Sequence, residues 1–161
     1  MNYAYENKGS VIRGLIGALL GALLGAVAWT LVGMLGYVAA VVGLLVFFLA
    51  NKGYDMLGGR QGGVKIVILL VCVVLAIFVG TIGIYAWQVH EVYQEEVAAL
   101  SATERMFVMS EAEFFKEVVP EIADDPEVKG GFMKDFLMGV GFAALGCFGV
   151  FSNAVKKNRR R

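Results

Sequence analysis

Three stretches of this chain, residues 14–51, 66–89 and 136–155, contain no Asp, Glu, Lys or Arg. Few folds accommodate apolar runs of that length. The hydrocarbon core of a bilayer is about 30 Å thick and takes about 20 helical residues at about 1.5 Å each, so the second and third stretches each match one span. The first is nearly twice as long and predicts two helices joined by a tight turn. Gly33 and Gly36 in "TLVGMLGY" lie near its middle and offer the backbone freedom such a turn requires. The expected fold is an all-α membrane protein with four transmembrane helices near 12–32, 35–51, 64–87 and 132–154. A short helical extracellular cap over 88–131 lies between the third and fourth, and residues 1–161 form a single integral membrane domain. A composition of 58% hydrophobic and 17% charged residues, with mean hydropathy +0.71, agrees.

The net charge of zero conceals a separation. Ten basic residues, including Lys8, Arg13, Lys52, Arg60, Lys65, Lys156, Lys157, Arg159, Arg160 and Arg161, fall on one side of the expected membrane against Glu6 and Asp55. The other side holds four bases and twelve acids, so the halves carry about +8 and about −8. Short cytoplasmic segments collect Lys and Arg. Both termini and the 52–65 loop are therefore expected in the cytoplasm and the acidic segment outside. Lys52, Arg60, Lys65 and the terminal "KKNRRR" are expected to contact anionic lipid rather than nucleic acid. Trp29, Tyr37, Tyr85 and Trp87 fall at the outer boundary and suit interface anchors, with packing between helices as the alternative.

The first span carries Gly14, Gly17, Gly21 and Gly25 at i+3 or i+4 spacing, hence on one helix face. In lipid, small residues let helix backbones approach closely. That face is expected to pack on another helix, of this chain or of a second copy. Gly139 and Ala143 form a weaker ridge in the fourth span. No span has an ionisable residue at its midplane, which disfavours a charge-coupled pump.

In the acidic segment, "SATE" at 101–104 and "SEAE" at 110–113 match capping boxes. Phe114, Phe115, Val118, Val119 and Ile122 predict an apolar helix face, with a kink or stop at Pro120. Asp124 or Asp125 can cap a following helix, Pro126 suits its first turn, and Gly130 with Gly131 admit a bend. Asp124, Asp125 and Glu127 are weak candidates for calcium, and His90 with Glu91 and Glu95 for a transition metal, but neither cluster is a complete ligand set.

"GGRQGGVK" at 58–65 misses the phosphate-loop pattern, with Val64 where lysine belongs, and reads as a flexible turn. One histidine and no nucleophile set on one side of the membrane argue against an enzyme. No cofactor is expected. The combination of "GALLGALLGAVAW", "KGYDMLGGRQG" and "DPEVKGGFMKDFLMGV" resembles small four-span membrane proteins of Gram-positive gut and soil anaerobes. That resemblance implies an architecture and a bacterial plasma-membrane location, with no catalytic residues to carry over. The expected role is a non-enzymatic interaction or assembly protein that self-associates or binds another membrane protein. The alternative is a small transporter or channel subunit.

Overall fold

The structure, a computed structural model, describes residues 9–35 and 40–158, with the side chains of 40, 41 and 149–158 outside the description. Five α-helices follow one another: α1 Val11–Met34, α2 Ala40–Met56, α3 Gly63–Ala99, α4 Glu111–Asp124 and α5 Pro126–Asn158. There are no strands among the described residues. α1, α3 and the Pro126–Phe148 part of α5 are long and apolar enough to cross a membrane. α2, at 17 residues, packs beside them.

Several boundaries depart from the expected ones. α1 continues through Gly33, whose Cα faces the Ile84 side chain of α3, and it ends at Leu35. Gly33 is thus a packing position, not part of the turn. Gly36 and Tyr37 lie outside the described residues. Leu35, the expected first residue of the second span, caps α1 instead, and α2, described from Ala40, runs past 51 to Met56. α3 runs twelve residues beyond the expected end at 87, because the polar sequence after Trp87 contains no helix breaker before Leu100. Its 37 residues span about 55 Å at 1.5 Å each, well beyond the bilayer core.

The close seam joins α1 to α2. A methyl at Gly17 would fall on the Gly53 carbonyl, and one at Gly53 on the Gly17 carbonyl. Gly21 meets the Leu49 carbonyl, Gly25 lies against Val46, and Gly14 against the Tyr54 ring. The regular glycine beat therefore brings one backbone onto another within the chain. Further along α1, Trp29 packs into α3 and α5. It is 4% exposed, its indole meets Gly80 and Gly139, and Nε1 donates to Thr81 Oγ1 at 3.2 Å. Thr81 Oγ1 in turn donates to the Ile77 carbonyl at 2.8 Å, and Thr30 Oγ1 lies 3.0 Å from the Gly80 carbonyl. Trp29 is a packing residue, which overturns its reading as an interface anchor. Gly139 and Ala143 also pack inward, beside Gly43 of α2.

At the other end, the turn between α2 and α3 is braced. Gly58 and Gly62 hold φ of 70° and 131°, backbone that residues with side chains avoid. Tyr54 is fully buried and donates its hydroxyl to the Arg60 carbonyl at 2.7 Å. Ser10 N–H, just before α1, donates to the Gly58 carbonyl at 3.1 Å. Lys65 Nζ lies 2.7 and 2.8 Å from the two Asp55 carboxylate oxygens, and Gln61 Nε2 donates to the same carboxylate at 2.7 Å. With its side chain 11% exposed and its charge held by Asp55, Lys65 is a structural ion pair and not a lipid contact. Within 58–65, residues 58–62 thus form a hydrogen-bonded turn and 63–65 begin α3. Asp55→Asn is expected to lower stability by about 1 kcal/mol, since the carboxylate is half-exposed and partly screened. Thermal unfolding in detergent checks this, and an unchanged midpoint contradicts the brace. Lys52 and Arg60 are exposed, with Lys52 Nζ 5.9 Å from the Phe48 ring centre. The side chains of Lys156 and Lys157, and Arg159, Arg160 and Arg161 entirely, lie outside the described residues.

Candidate functional site

The segment between α3 and α5 folds back on its own helices. Of the two serine–glutamate boxes, the one at 110–113 forms in full, whereas at 101–104 only the glutamate half forms and Thr103 precedes the helical turn. Glu104 Oε2 accepts from Ser101 N–H at 2.9 Å and from its hydroxyl at 2.6 Å, heading a 3-10 turn at Glu104–Met106. Glu113 Oε2 does the same for Ser110, at 2.9 and 2.8 Å, and starts α4. These hydrogen bonds favour the charged form and hold both carboxyls below the usual glutamate range. α4 then passes through Pro120 without stopping. The proline removes the N–H that would pair with the Lys116 carbonyl, and on this exposed helix water can serve that carbonyl instead.

Asp125 separates α4 from α5. Its Oδ1 accepts from Glu127 N–H at 2.7 Å and Val128 N–H at 3.2 Å, and Pro126 opens α5. This matches the expected cap and first turn. α5 then stays helical through Gly130 and Gly131, and Gly131 admits the Tyr85 hydroxyl close to its backbone. Asp124 pairs with Lys129 at 3.0 Å. Of the three calcium candidates, Asp124 is thus ion-paired and Asp125 serves as a cap. No group of three potential metal ligands converges among the described residues.

Two aromatic groups of α3 hold the start of α4. His90 Nδ1 lies 2.6 Å from Glu111 Oε1, and the His90 ring stands 5.2 Å from the Trp87 ring. Tyr93 donates to the Met109 carbonyl at 3.0 Å, and its ring lies 5.2 Å from Phe114. The partner of His90 is therefore Glu111 from another helix, not the neighbouring Glu91 and Glu95. Sequence spacing does not reveal this pair, because 21 residues and a chain reversal separate its members.

Between these ties and the Asp125 turn, α4 lies over α3 and α5 without burying any residue completely. The three helices enclose an open groove of about 520 Å³. Ile82, Ala86 and Val89 of α3, Phe115 and Val119 of α4 and Phe132 of α5 form much of its wall. The apolar face expected for α4 supplies Phe115, Val119 and Ile122 to this space, while Phe114 turns to Tyr93. Tyr85 also lines it, its ring 5.6 Å from Phe132, and Phe132 meets Phe78 edge-on at 5.7 Å. Trp87 is exposed beside the groove. Among the described residues, Lys129 is the one charged side chain at the wall.

Chemically, the groove offers contact to carbon along its length and one cation at its edge. It lacks the hydrogen-bonding array that positions a reacting polar substrate. Comparison with protein families, curated proteins and solved structures found no match to the chain.

Proposed function

We propose that this chain is a non-enzymatic membrane protein of the bacterial plasma membrane, built to hold an interaction surface on the outer side. In this reading α1, α2, α3 and α5 are four spans. Both termini and the 57–62 turn are cytoplasmic, and the 88–131 segment is an extracellular cap. The separation of about +8 from about −8 supports the orientation.

The observation that carries the role is the contrast between the two ends of the molecule. Toward one end, α1 and α2 touch backbone to backbone and the turn is braced by Asp55, Lys65 and Tyr54. Toward the other, α4 rests on its neighbours by a few polar and aromatic ties, above an unfilled apolar groove. Regions with few buried apolar contacts open at low free energy and often carry binding. The glycine face of α1 is already covered by α2, so contact with a second copy or another membrane protein runs through the cap. Trp29, Ile77 and Gly139 fill the middle of the bundle, which gives a conducting pathway through one chain no support.

The test uses whole cells. In a Cys72→Ala, Cys147→Ala background, Ser101→Cys is expected to react with a membrane-impermeant maleimide before lysis. A photo-crosslinker at Glu117, on the exposed side of α4, is expected to yield a discrete adduct that one at Leu19 does not. Labelling only after lysis overturns the orientation, and identical adduct patterns at the two sites overturn the cap as the interacting surface.

A further inference from the structure

The groove beneath α4 has the chemistry of a site for one kind of molecule. Its wall is carbon from three helices, and its volume of about 520 Å³ falls within the range of ligand pockets. A compact polar metabolite would leave its own hydrogen-bonding groups unpaired there.

Position narrows the occupant further. The α3 wall, Ile82 to Val89, is the last part of the charge-free 66–89 stretch, where hydrocarbon gives way to headgroups on the reading above. Ile82, Val119 and Met133 line the groove and remain exposed, so its wall continues into the apolar outer surface of the helices. An acyl chain can therefore enter from the bilayer without crossing water. Lys129 lies at the edge of the groove, and its ammonium pairs with the highly exposed Asp124, its one ion-pair partner among the described residues. An aliphatic stem on apolar surface with its charge at the boundary is the arrangement that meets an anionic headgroup.

We propose that this groove binds one acyl chain of an anionic outer-leaflet phospholipid, with the chain between α3, α4 and α5 and the headgroup at Lys129. The bond to Asp124 is solvent-exposed, and such pairs are worth little. A phosphate can therefore share or take over the ammonium. The inference rests on the membrane placement proposed above, which the Ser101 labelling tests separately.

The experiment is native mass spectrometry of the full chain in detergent, titrated with phosphatidylglycerol. The expected result is one phospholipid bound per chain at a first site well separated in affinity from later additions. Ala86→Phe, which fills the groove from α3, is expected to weaken that first site at least tenfold. Val119→Phe does so from the exposed helix α4, where a change in the fold is least expected. Lys129→Gln is expected to weaken phosphatidylglycerol severalfold and phosphatidylcholine less, because the choline charge of the latter offsets its phosphate. Gly141→Leu, at an open position on α5, leaves all of these as in the natural chain. Equal phosphatidylglycerol affinity in the natural chain and both groove-filling variants overturns the site. So does a ladder of additions with no preferred first step. Palmitate displacing phosphatidylglycerol at equal concentration assigns the groove to a free fatty acid and overturns the phospholipid. A lipid-free dimer abolished by Val119→Phe assigns it to a second copy and likewise overturns the proposal.

Discussion

Gly17→Leu is expected to destabilise the folded bundle severely. The Cα of Gly17 sits against the Gly53 carbonyl, and the relation is reciprocal, so a side chain at either position meets backbone that cannot rotate away. Overpacking a core costs about 1–3 kcal/mol where neighbouring side chains can shift. Here α1 and α2 must separate along the whole seam, which also loosens Gly21 on Leu49 and Gly14 on Tyr54. The loss is accordingly about 3 kcal/mol or more, a large part of the 5–15 kcal/mol that holds a typical domain together. Size-exclusion profiles and thermal unfolding in detergent read the outcome. Gly53→Leu should reproduce it, whereas Gly141→Leu, which meets open space, should unfold with the natural chain. Equal midpoints for Gly17→Leu and Gly141→Leu would show that the seam is not what holds α1 to α2.

Trp29→Ala is expected to cost about 3–5 kcal/mol. The indole touches Gly80 of α3 and Gly139 of α5, so its removal empties the place where three helices meet. Lipid tails are as apolar as the core, and the loss is therefore mainly of dispersion contacts rather than of burial from water. Trp29→Phe separates the two contributions of this residue. It keeps most of the volume and gives up the Nε1 bond to Thr81, worth about 0.6–1 kcal/mol between membrane helices. Thr81→Val should match it in size, and the double variant should cost little more than either one, because the same bond is removed once. A Trp29→Ala midpoint within experimental error of the natural chain would return Trp29 to the membrane interface.

The two predictions rest on features that were unequally visible in the residues. The three- and four-residue spacing of Gly14, Gly17, Gly21 and Gly25 announces a close helix contact before any coordinates exist, because periodicity places these residues on one face. It does not name the partner. Trp29 shows the opposite limitation. Its place near the end of an apolar run fits an interface anchor, and only Thr81, fifty-two residues away, together with Gly80 and Gly139 reveals it as an interior residue. Lys65 follows the same logic: one more loop cation in the sequence, but an ion pair once the Gly58 and Gly62 turn brings Asp55 back to it.

In the cap, local signals held and long-range ones were missing. The Ser110 and Asp125 caps form because each involves groups within three residues. Neither Pro120 nor Gly130 ends its helix, because exposure and helix packing outweigh those local preferences. His90 against Glu111, and the groove that α4 leaves open, require the chain to reverse between α3 and α4.

The uncharged stretches and the spacing of small residues, written in the order of amino acids, are enough to dictate long apolar helices, one face of close approach, and the caps that start α4 and α5. These follow from hydrophobicity, helical periodicity and hydrogen bonds a few residues long. Which helix covers the glycine face, where Trp29 points, what neutralises Lys65 and what space lies under α4 depend on residues tens of positions apart. Those contacts exist only once the helices pack, since side-chain volume and backbone separation, rather than local preference, select among the possible neighbours.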